Sequence, residues 1–134
     1  MKTYYTSSKY ANYTHIHMYV FEKYFIEQIK ESKLDYEESY SINVEIDGNV
    51  AIWKMSINDP QIEYIFNELV KNPNFIDKRM VKKATKDIAK KMGKKFEITD
   101  PELLLEEIRS IKLSDKKPII KDNDSLDSPA VRFY

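Results

Sequence analysis

Lys78, Lys82, Lys86, Lys90 and Lys94 recur at every fourth position through DKRMVKKATKDIAKKMGKK, with Arg79 and Lys83 beside them. On an α-helix that spacing places them along one side, one turn apart. A column of ammonium groups at this pitch has two chemical uses. It can follow a nucleic-acid backbone and release its counterions, or it can meet the carboxylates of an acidic protein surface. Like charges four residues apart cost about 0.2–0.5 kcal/mol per pair, so acidic groups must answer the ladder, either from a partner or from within the chain. Within the chain the candidates are Glu102, Glu106 and Glu107, which would turn the ladder into a solvated, partly neutralised face. As a binding site it comprises Lys78, Arg79, Lys82, Lys83, Lys86, Lys90 and Lys94.

The other reactive residue types do not assemble into known chemistry. His15 and His17 are the only histidines. Their i, i+2 spacing sets them about 200° apart on a helix, so no shared metal is expected and both read as surface or boundary side chains. Glu37-Glu38 and Glu106-Glu107 lie beside lysines or in flexible segments, without the apolar enclosure that raises a carboxyl pKa for acid catalysis. Asp122-Asn123-Asp124 begins like a calcium loop, but no glycine follows at the sharp turn and no glutamate closes it. Neither a Ser-His-Asp set, nor a glycine-rich phosphate loop, nor H-E-x-x-H is present. No catalytic residue, metal or cofactor is therefore expected.

TKDIAKKMG resembles the first helix of the helix-turn-helix in lactose-repressor-type regulators, and the resemblance covers that stretch alone. It would imply a recognition helix directly after a short turn. Residues 94–99 instead form a longer, strand-like link, and the next helix carries Glu102, Glu106 and Glu107, which phosphates would repel. No family is assigned on this stretch.

Tyr4, Tyr5, Tyr10, Tyr13, Tyr19 and Tyr24 crowd the first part of the chain. Tyrosine combines large apolar area with a hydrogen-bonding tip, which suits core and boundary packing first and a protein interface second. Base stacking would need a basic groove that this charge-balanced region lacks.

The 134 residues, 42% of them hydrophobic, suffice for one domain with a substantial core. The 22 basic and 22 acidic residues cancel, which argues against a globally cationic nucleic-acid binder. The cancellation is regional: residues 77–95 hold nine basic and two acidic residues, residues 96–115 six acidic and two basic. Absence of cysteine excludes disulfide and thiolate chemistry and agrees with a reducing cytoplasm. The polar, tyrosine-rich start does not read as a secretory signal, and no run is long enough to span a membrane. Abundant Lys, Ile, Asn and Tyr with only 2 glycines point to an AT-rich bacterial or mobile-element genome.

Periodicity then supplies the elements. Residues 15–32 predict a helix with Ile16, Val20, Tyr24 and Ile29 on one side, although residues 14–20 also alternate like a strand. SINVEIDGNVAIWKMSI predicts a β-hairpin about Asp47-Gly48-Asn49, with Ile42, Val44 and Ile46 sharing a face with Ala51, Trp53 and Met55. That face needs helices over it or another strand beside it, for which residues 96–98 and 130–134 are the candidates. Asn58-Asp59-Pro60 starts a helix that Asn72-Pro73 stops. Asn74 or Asp77 caps the lysine helix, whose inward residues are Met80, Val81, Ala84, Ile88 and Met92 up to Gly93. Thr99-Asp100-Pro101 starts an acidic helix with Leu104, Leu105, Ile108 and Ile111 inward.

The expected fold is α+β, a single small domain over residues 1–113: an N-terminal helix, a β-hairpin, then three helices. Residues 114–134 form an irregular C-terminal arm whose AVRFY segment returns as a short strand or joins a partner's sheet. The expected function is that of a small non-catalytic regulatory or inhibitory protein. It would bind an acidic protein through the lysine face and aromatic anchors, with DNA or RNA accessory binding by the same helix as the alternative.

Overall fold

The structure is a computed structural model and describes residues 2–34, 40–47, 50–118 and 128–134. Its elements follow the order β1 (Lys2–Thr6), α1 (Ala11–Glu31), β2 (Tyr40–Asp47), β3 (Val50–Ile57), α2 (Pro60–Lys71), α3 (Lys78–Lys91), β4 (Phe96–Ile98), α4 (Pro101–Ser110) and β5 (Val131–Phe133), with a 3-10 turn at Pro73–Phe75. This is the α+β class expected from the sequence.

The three later helices begin where the sequence signatures put them. Asp59 accepts from the Gln61 backbone N–H, Asp77 from Met80 and Asp100 from Leu103, at 2.8–3.0 Å. Each aspartate satisfies a backbone donor that the first helical turn leaves without a partner, and Pro60 and Pro101 occupy the position where a missing N–H costs nothing. Of the two caps considered for α3, Asp77 is the one used, while the Asn72 side chain accepts from Asn74 in the preceding turn.

The hairpin pairs Ile42 with Met55, Val44 with Trp53 and Ile46 with Ala51, the cross-strand partners that side-chain alternation requires. Pairing of Asp47 with Val50 leaves residues 48 and 49 as the connection; the turn expected there lies outside the described residues. The third strand of this sheet is β1, antiparallel to β3 in the order β1-β3-β2. Neither of the two segments expected to extend the hairpin does so. They pair with each other instead, β4 with β5, in a separate two-stranded sheet. Ala130 and Val131 are buried there, and Thr99 N–H donates to the Ala130 carbonyl. Both side chains belong to the hydrophobic core, so this pairing buries apolar area that an added hairpin strand would have to bury elsewhere.

α1 is the central element, packed against α2, α3, α4 and β3. It begins at Ala11 rather than His15, and residues 14–20 are helical. Ala11, Tyr13, Thr14, Ile16, His17, Met18, Val20 and Phe21 are all buried. The first half of α1, buried nearly all round, has no polar stripe, which is why it also reads as alternating. Phe21, Phe25 and Phe66 form the aromatic centre of the core, with centroids 4.9 Å apart for Phe25–Phe66 and 6.3 Å for Phe21–Phe66.

The chain after α4 is tied down up to Pro118 by two contacts. Ser114 exchanges backbone hydrogen bonds with Tyr5 at 2.7 and 2.9 Å, and Lys117 pairs with Glu45 at 3.1 Å. Among the described residues no helix is long and apolar enough to cross a membrane.

Candidate functional site: a cationic ridge between two grooves

The apolar residues of α3 (Val81, Ala84, Ile88) repeat at i, i+3 and i+7 and are buried, so the polar residues between them face outward. Lys78, Arg79, Lys82, Lys83, Lys86 and Lys90 are all exposed on the side away from the core. Two differences from the sequence reading follow from one residue. Gly93 adopts φ 65°, and Lys94 N–H turns back to the Ala89 carbonyl at 2.9 Å, closing the helix at Lys91. Lys94 therefore lies past the helix end and does not continue the ladder. Met92, expected inside, is 49% exposed because it occupies the cap where the chain leaves the core.

The expected internal neutralisation is sparse. Lys78 pairs with Glu102, and Lys83 with Asp87 at 3.6 Å. Among the described residues Arg79, Lys82, Lys86 and Lys90 have no ion-pair partner, and Glu106 and Glu107 pair with none of the ladder. Lys82, Lys86 and Lys90 thus form a ridge of uncompensated charge.

A groove runs along each flank of the ridge. On the α1 side a groove of about 490 Å³ is lined by Val20, Tyr24, Phe75, Met80 and Ala84, with Lys23, Arg79 and Lys83 among its charged residues. On the other side a groove of about 430 Å³ lies between Lys78, Val81 and Lys82 of α3 and Phe96, Ile98 and Leu104. The tyrosine-rich helix and the lysine-rich helix, far apart in sequence, thus meet in one surface.

Tyr19 organises the first groove. Its hydroxyl donates to Asp87 Oδ2 at 2.7 Å, while the ammonium groups of Lys23 and Lys91 lie 5.3 and 5.4 Å from its ring centre. Burial, then the bond to Asp87, pushes the Tyr19 hydroxyl up to about 12. The same bond is the main reason the Asp87 carboxyl lies below its ordinary value, with Lys83 adding to it. The one acidic residue within α3 is thereby engaged by Tyr19 and Lys83. Lys23, Lys91 and Phe75 were not anticipated from sequence. Only the i, i+4 relation of Lys23 to Tyr19 signalled any of them.

The histidines diverge, as their spacing requires: His15 is half-buried, a boundary side chain as expected, whereas His17 is not. His15 Nδ1 accepts from Trp53 Nε1 at 2.9 Å, and burial lowers its pKa. His17 is fully buried, with Thr6 Oγ1 3.2 Å from Nδ1. Burial brings its pKa down to about 3, opposed by the Ile111 backbone. Its position in the mostly buried first half of α1 explains the departure from the expected surface or boundary site. Tyr4 and Tyr13 are likewise buried, so packing is the main use of the N-terminal tyrosines. Among the described residues no group of three or more His, Asp or Glu is placed to hold a metal ion. Asp122-Asn123-Asp124 and Glu37-Glu38 lie outside the described residues.

β4 lies between α3 and α4 and pairs with β5, so these helices are not joined by the short turn of a helix-turn-helix. Comparison of the chain with protein-family models, curated proteins and solved structures returned no match.

Proposed function

We propose that this protein is a small non-catalytic regulator that docks on an acidic surface of another protein through the exposed side of α3. The observation that carries this reading is the ridge of Lys82, Lys86 and Lys90, which repel one another and find no carboxylate among the described residues. An arrangement that opposes its own helix is offset when a partner supplies the counter-charge, and such pairing sets association rate and specificity. The absence of cysteine suits a reducing cytoplasm, in an AT-rich bacterial or phage host.

The direct test is recovery of a partner from the native host. Wild-type protein retains one species in stoichiometric amount, and Lys82→Glu/Lys86→Glu/Lys90→Glu loses it. Equal recovery by both proteins removes the ridge from the interface.

A second reading, contact with a DNA or RNA backbone, is favoured by the one-turn spacing of the ammonium groups along the ridge. It predicts retention on duplex DNA that weakens steeply with salt and is lost in the same triple variant. Against it, α3 offers a single arginine, Arg79, for bidentate base contacts.

A further inference from the structure

The groove between α1 and α3 adds an apolar element to the charged ridge. Its floor is built from Val20 and Ala84, both almost completely buried, with Met80 half-buried beside them. One wall is stiff: Tyr24 lies flat on Phe75 with centroids 4.3 Å apart and planes 9° apart, and Phe75 meets Phe21 edge-on at 5.1 Å. Side chains already locked by packing lose little freedom when a ligand arrives. The volume falls within the range of about 300–1,000 Å³ typical of small-molecule sites, so one large aromatic or aliphatic side chain fits.

The charges around the groove select its occupant. Lys23, Arg79 and Lys83 line it, and Glu27 and Asp77 line it too. A nucleic acid carries a phosphate at every nucleotide and would set some of them against Glu27. A peptide places carboxylates only where its sequence puts them. We infer that the groove receives one bulky apolar side chain of an acidic peptide segment, whose flanking carboxylates meet Lys23, Arg79 and Lys83. The inference rests on the docking reading above and names the part of the partner that is gripped.

An NMR titration of the full chain separates the two. The probes are two synthetic peptides of identical Asp and Glu content, one with a central Trp and one with Ala in its place, and an oligo-dT strand. The Trp peptide is expected to shift the methyl signals of Val20, Met80 and Ala84 and to bind on the order of tenfold more tightly than the Ala peptide. Met80→Gln, which makes the floor polar at similar volume, is expected to remove most of the difference in affinity between the two peptides. If both peptides bind alike, with shifts confined to Lys82, Lys86 and Lys90, the anchor groove is overturned and the charged docking face stands. If neither peptide perturbs ridge or groove, both are overturned. If oligo-dT produces the groove shifts with an affinity equal to that of the Trp peptide, the occupant is nucleic acid and the inference fails.

Discussion

His17 has no exposed surface, and its pKa is brought down from 6.5 to about 3 by burial. In the unfolded chain the imidazole takes a proton as pH falls through 6.5, whereas in the fold it stays neutral until about 3. The unfolded state therefore binds more protons across this window, and stability falls as pH is lowered through it. Each pH unit between the two values costs about 1.4 kcal/mol from this side chain. Urea denaturation between pH 7 and 4 is expected to give a falling stability that His17→Phe flattens by close to one proton relative to wild type. His15, lowered in the same direction, stays common to both proteins. Parallel curves for the two proteins would mean that His17 is protonated inside the fold. The same residue marks a limit of sequence reading: a lone histidine among Ile16, Met18 and Val20 carries no local sign of being buried, because its burial depends on α2, α3, α4 and β3 closing around α1.

α3 is amphipathic with strong caps, Asp77 at its start and Gly93 past its end, and such elements are legible in a sequence because their signals are local. The hairpin was legible for the same reason, its two strands alternating in compatible register. β1 was missed although Thr and Tyr favour strands, because its alternation of buried Tyr4 and Thr6 with half-buried Thr3 and Tyr5 does not separate apolar from polar types. The β4–β5 pairing spans more than thirty residues, and three-residue strands carry too little pattern to name their partners. The lysine side of the candidate site was readable from spacing, but the groove beside it was not, since Tyr24, Phe75 and Met80 come from three different segments. Within α3 stability opposes the proposed docking. Lys86→Glu replaces two repulsive i, i+4 relations, with Lys82 and Lys90, by two attractive ones, a change of about 1–2 kcal/mol in favour of the folded state. The variant is expected to melt several degrees higher at low salt while binding the proposed acidic partner more weakly. A variant that melts lower would mean that Lys86 is already compensated in the folded chain.

Across the whole molecule equal numbers of acidic and basic residues hide a separation of charge, with the cationic side of α3 set against Glu102, Glu106 and Glu107 of α4. The two sides touch through Lys78–Glu102, an exposed pair of the kind that contributes about 0–1 kcal/mol. Long-range attraction between the helices competes with short-range repulsion within the ridge, and distance decides which wins. Neighbouring ladder residues sit about 5–6 Å apart at Cβ, while Glu106 and Glu107 form no ion pair with them. Repulsion within the ridge therefore acts at the shorter distance. The Debye length shrinks from about 30 Å at 0.01 M to about 10 Å at 0.1 M and about 3 Å at 1 M salt, so the longer-range attraction between the helices is screened first and the ridge is relieved as the length approaches its own spacing. The melting temperature is expected to rise between roughly 0.1 and 1 M salt. Over the same interval affinity for an acidic peptide falls, because the carboxylates that relieve the ridge in the complex are replaced by counterions. Scanning calorimetry and a binding titration in the same buffers check both trends. Stability that falls with salt would mean that attraction between α3 and α4 outweighs repulsion within the ridge, leaving no uncompensated charge for a partner to meet.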